Sequence, residues 1–80
     1  MRRTMLLISD ILMAEDKREN LLRRDRGQIE KMRLMMERGD EAMPIRCYPV
    51  LGGKWIIRDG RHRFLAAKLA GFRSVPAMVP

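Results

Sequence analysis

The sequence predicts a small α+β domain: a mixed sheet of about four strands carrying two main helices. Two kinds of segment alternate along the chain. Pro44 to Val50, Lys54 to Arg58 and Val75 to Val79 are short, apolar and rich in β-branched residues, as half-buried strands are. Two other segments have helical spacing, and each ends at a glycine, Gly39 and Gly71. The third observation is size. Eighty residues support one core at most, and the single cysteine, Cys47, cannot close an intrachain disulfide.

Met5-Leu6-Leu7-Ile8 reads as a first strand, too apolar for an exposed edge. Ser9 or Asp10 then caps a single helical turn through Leu12 or Met13. Ala14 to Arg24 is dense in charge and irregular in period, which reads as a loop or a frayed helix. Asp25 with Gln28 three residues on resembles a capping box, and Gly39 stands where a helix-ending glycine belongs. Between them Ile29, Met32 and Met36 form one apolar stripe with Met35 beside it, while Arg33 and Glu37 pair at i,i+4. This is an amphipathic helix packed on a sheet.

In Pro44 to Val50, Ile45 and Cys47 alternate with Arg46 and Tyr48; Pro44 and Pro49 place this strand at an edge or its prolines at its ends. Gly52-Gly53 signals a hairpin into Lys54 to Arg58. Asp59-Gly60 could turn a second hairpin, but Leu65/Leu69 and Ala66/Ala70 repeat at i,i+4, so a helix follows and stops at Gly71. Val75, Ala77 and Val79 make the last strand, with Pro76 keeping part of it off the interior ladder.

Composition narrows the partners. A formal charge of +7, carried mostly by arginine, favours polyanions and planar recognition of phosphate or carboxylate. The lone cysteine fits a reducing compartment, and a cytoplasmic location is expected. Asp10 interrupts the apolar N-terminal run, no small-residue cleavage site follows, and no apolar run reaches a membrane-spanning length. Membrane insertion is not expected. Eight methionines and the hairpin aromatics, Tyr48 and Trp55, offer a surface for homodimerisation.

The chemistry concentrates at Asp59-Gly60-Arg61-His62-Arg63. A strand runs into a glycine corner and a helix starts directly behind it. The helix dipole already makes that end positive, so two arginines and the only histidine repel it. A bound phosphate removes that cost, with Gly60 allowing close backbone approach. Asp59 reads as the helix cap. Other chemistries lack their residues. One histidine and one cysteine do not make a structural zinc site, Ser9 and Ser74 have no visible triad partners, and no P-loop motif is present. A carboxylate pair would have to join Asp59 to Asp16, Glu19 or Asp25, and Arg18, Arg23 and Arg24 are placed to reach phosphates from the same N-terminal segment.

The corner, together with Ala66-Ala67-Lys68-Leu69-Ala70-Gly71 and Val75-Pro76-Ala77-Met78-Val79, resembles the ParB/sulfiredoxin superfamily. The specific match covers residues 58 to 79; the upstream order of elements also fits. The resemblance implies a nucleotide site in which Gly60, His62 and Arg63 match phosphate-holding positions, with CTP, ATP or ADP as ligand and Mg²⁺ beside the phosphates, helped by Asp59. In the related free-serine kinases the residue matching Asp59 takes part in phosphoryl transfer. Arg61 stands where sulfiredoxins place their reactive cysteine, so sulfiredoxin activity is not expected. Partition proteins add a helix-turn-helix and a dimerisation segment, for which these residues leave no room. Three functions follow as expectations: a nucleotide-phosphate-binding domain in a DNA-associated or regulatory role, of plasmid or phage partition or transcription type; a small phosphotransferase, nucleotide hydrolase or nuclease with Asp59 as its catalytic residue; or a non-catalytic basic module that binds DNA or a protein partner.

Overall fold

The computed structural model describes residues 1–40 and 43–80. Five strands form one mixed sheet: β1 (Arg2–Leu7), β2 (Ile11–Leu12), β3 (Ile45–Val50), β4 (Lys54–Asp59) and β5 (Ser74–Val79). Their order across the sheet is β1-β5-β3-β4-β2. β1–β5 and β3–β4 are antiparallel; β5–β3 and β4–β2 are parallel. Three helices accompany it: α1 (Glu15–Arg24), α2 (Arg26–Glu37) and α3 (Arg61–Leu69). The α+β class stands, with one more strand than expected because the two residues of β2 reach β4.

Side-chain alternation divides the sheet into two faces. Leu6, Ile11, Ile45, Cys47, Ile57, Val75, Ala77 and Val79 are buried, against Phe64 to Ala67 of α3 and Ile29 of α2. The intervening positions Met5, Leu7, Leu12, Tyr48, Val50 and Ile56 are 38–59% exposed. The helices therefore cover one face only. Because α3 presents four successive buried residues, it is the element most deeply seated.

Several local expectations are corrected. β1 is an edge strand despite its apolarity; of its residues only Leu6 is buried. Ile8–Asp10 form a short 3₁₀ turn closed by Ile11 N–H donating to the Ile8 carbonyl, and the chain is extended again by Ile11, so no helical turn runs to Met13. Ala14 to Arg24 is not a loop: Glu15 to Arg24 form α1, with no fully buried residue and with Leu21 and Leu22 packed against the core. Of the predicted stripe on α2, Ile29, Met32 and Met36 face the core, whereas Met35 is exposed.

The helix ends follow the glycines. Gly39 and Gly71 both have positive φ, and after each helix the next two N–H groups return to its last carbonyls: Gly39 to Met36 and Asp40 to Met35, Gly71 to Lys68 and Phe72 to Ala67. β3 is an interior strand with Pro44 before it and Pro49 near its end, where only β4 pairs with it. Pairing of β5 with β3 begins at Ala77, just past Pro76. Among the described residues no helix is long and apolar enough to cross a membrane.

Candidate functional site

β4 delivers the chain to the corner through an irregular register. Cys47 pairs with Ile57 and Arg46 with Asp59, which leaves Arg58 as an extra residue. Gly60 then takes φ 91°, ψ 30° and occupies the N-cap position of α3, and its carbonyl accepts the first helical bond, from Phe64 N–H. A Cβ at this position would lie 2.8 Å from Ile45 Cγ2 and 3.2 Å from Ile45 Cα. Both the turn and the close packing on β3 therefore require glycine. Asp59 is not the cap, because the left-handed turn comes one residue later. Its side chain is largely exposed, with Oδ2 3.8 Å from Arg63 Nη2.

The three cations behind Gly60 have three different environments. Arg63 is more enclosed than His62; its Nη1 donates to the Pro44 carbonyl at 3.1 Å, bracing the approach to β3. It borders an apolar cleft of about 200 Å³ that includes Met36, Ile45, Ala67 and Phe72. His62 Nε2 lies 2.9 Å from Asp25 Oδ2. That contact ties the α1–α2 junction to the first turn of α3. It also takes the Asp25 carboxylate away from the expected capping box: Asp25 occupies the N-cap position of α2 but makes no side-chain cap bond.

Arg61 points the other way. With Lys17, Asn20, Leu21 and Arg24 of α1 it lines an open cavity of about 290 Å³. Among the described residues neither Lys17 nor Arg61 has an ion-pair partner, and Arg24 has only a 3.9 Å approach to Asp25 Oδ2. Lys17, Asn20 and Arg24 follow at i, i+3 and i+7, one face of a helix. The spacing is present in the sequence, but it points to one face only once the segment is known to be helical, and Lys17 and Asn20 were not among the expected site residues.

The remaining expected contacts divide. Arg24 joins the corner through Arg61. Arg18 is engaged with Glu15 on α1, while Arg23 donates to Asn20 Oδ1 and borders a separate groove with Arg26 and Arg33. Asp16 and Glu19 are exposed on α1 and do not line the Arg61 cavity. Cys47 is fully buried on β3, and burial pushes its thiol up to about 11, so it stays protonated at neutral pH.

No family model matches the sequence, and neither does any curated protein. Solved structures do. The C-terminally truncated chromosome-partitioning protein ParB from Caulobacter crescentus, complexed with CTP-γ-S, superposes with a TM-score of 0.78 at 23% identity, over 100% of this chain and 44% of that one. Sulfiredoxin from Arabidopsis thaliana gives 0.77 at 17% identity, over 100% of this chain and 85% of that one. The fold is the ParB/sulfiredoxin fold. The same Caulobacter ParB complexed to the centromeric parS site gives 0.62 at 20% identity, with 96% of this chain and 38% of that one covered. This ParB/sulfiredoxin-like chain thus spans less than half of the partitioning protein's truncated form.

Proposed function

We propose that this is a ParB-like nucleotide-binding domain whose Arg61 cavity takes the phosphates of CTP, ATP or ADP. One observation carries the reading: Lys17 and Arg24 of α1 and Arg61 of α3 converge on an open cavity beside a helix start that also offers unpaired N–H groups. Arginine forks and a lysine ammonium are well suited to phosphate oxygens. The likeness to a ParB crystallised with CTP-γ-S supports a nucleotide as the carrier of those phosphates.

Within this reading Gly60 brings the backbone close and Arg61, Lys17 and Arg24 neutralise charge. His62, held by Asp25, sets the distance between α1 and α3. Arg63 keeps the corner in shape rather than meeting the ligand directly. Binding without turnover is favoured, because the Asp59 carboxylate is turned towards Arg63 and does not line the cavity. The physiological role we propose is regulatory or DNA-associated, with DNA contact through sequence-independent phosphate interactions of the basic surface.

Calorimetric titration of the domain with CTP, ATP and ADP tests this. At least one nucleotide should bind saturably, and Arg61→Ala should weaken it by about tenfold, the loss of one charge-assisted contact. If none of the three binds the wild-type chain at millimolar concentration, the reading fails.

A further inference from the structure

We infer that the Arg61 cavity takes polyphosphate as the metal-free anion and disfavours its Mg²⁺ complex. This rests on the phosphate-site reading above and concerns the form of the ligand. Mg²⁺ demands hard oxygen ligands in near-octahedral geometry and is generally held at phosphate sites by one or two carboxylates. The cavity is lined by Lys17, Asn20, Leu21, Arg24 and Arg61 and contains no carboxylate. Its one side-chain oxygen, Asn20 Oδ1, accepts from Arg23 Nη2 at 2.8 Å.

Asp25 and Asp59, the carboxylates of the corner, do not line the cavity and face other side chains. Asp25 Oδ2 is 2.9 Å from His62 Nε2 and 3.9 Å from Arg24 Nη2, and Asp59 Oδ2 is 3.8 Å from Arg63 Nη2. Among the described residues no group of three or more acidic, histidine or cysteine side chains gathers to hold a metal. The donor set therefore does not fit the Mg²⁺ that the fold resemblance implies. A dication brought in with the phosphates would also meet three positive side chains across the cavity, each of which repels it. Those side chains already perform the neutralisation that a metal performs at carboxylate-bearing phosphate sites. Chelating the triphosphate with Mg²⁺ removes two of the negative charges they are placed to meet.

The test is to titrate the wild-type domain with CTP and with inorganic triphosphate, once in EDTA and once in saturating MgCl₂. Binding should be tighter in EDTA, by about tenfold if one favourable charge contact is lost to the metal. Arg61→Ala should narrow or reverse that ratio, since an ion can then supply the missing charge, while its far-ultraviolet dichroism stays that of the wild type. Binding seen only with Mg²⁺ overturns this inference and leaves the phosphate site standing. No binding in either buffer overturns both. An Arg61→Ala variant with an unchanged EDTA-to-Mg²⁺ ratio also overturns it, because cavity charge would then not be what selects against the metal.

Discussion

Arg61 and Arg63 are two residues apart and do opposite work. Two steps along an α-helix rotate a side chain by about 200°, so the pair must face opposite sides of α3. On one side Arg63 is tied to the Pro44 carbonyl and faces Asp59, among apolar neighbours. On the other Arg61 opens into a basic cavity shared with α1. A run of cations at a helix start is thus divided between two environments. Packing of Phe64 and Leu65 fixes the rotation of the helix, and that rotation decides which cation braces the corner and which opens into the cavity.

The largest effect is expected at Gly60, which both sides of the helix start share. Gly60→Ala must adopt a positive φ and place a methyl against Ile45, whose backbone cannot give way cheaply. A loss of about 2–4 kcal/mol is expected in urea unfolding, and a cost under 1 kcal/mol would contradict the close packing on β3. Next come the arginines as a crossed pair. Arg63→Ala should lower stability by about 1–2 kcal/mol, through the lost bond to Pro44 and lost packing. Arg61→Ala should shift stability by no more than about 0.5 kcal/mol while weakening nucleotide binding. If the two variants exchange these phenotypes in unfolding and titration experiments, the assignment of sides is reversed.

A smaller effect is expected on the line between the two sides. His62→Gln keeps a donor but loses the geometry to Asp25, and should cost about 0.5–1 kcal/mol with a modest rise in Kd, measured by the same two methods. The smallest is a remote control on α2. Arg33 is hydrogen-bonded to Glu30 and Glu37, and its hydrogen bond holds the exposed Glu30 carboxyl below its ordinary pKa. A carboxyl lowered in the folded state stabilises at pH above its unfolded pKa, and that contribution is lost as pH falls through the folded value. Glu30→Gln should therefore flatten the acid limb of the stability profile slightly and leave nucleotide affinity unchanged.

Much of this was legible in the sequence. The alternation of Ile45 and Cys47, the double glycine of the hairpin and the Gly39 and Gly71 stops gave β3, β4 and the two helix ends, because each is a local signal. The Gly60 corner was visible for the same reason. What escaped was non-local. The two residues of β2 are a strand only because β4 lies beside them. α1 has Leu21 and Leu22 as its main apolar anchors among many charges, so its helicity depends on packing that a sequence pattern does not carry. Asp25 was read as a cap because its spacing to Gln28 fits one; His62, thirty-seven residues away, takes that carboxylate instead.

The sheet has consequences beyond the site. Its uncovered face puts Met5, Leu7, Tyr48 and Ile56 in water, where an antiparallel sheet ordinarily sets polar side chains. A net charge of +7 makes copies of the chain repel one another, and that repulsion reaches only about a Debye length, ~10 Å at moderate salt and ~3 Å at 1 M. Dilute buffer should therefore oppose association through the bare side of the sheet, and concentrated salt should favour it.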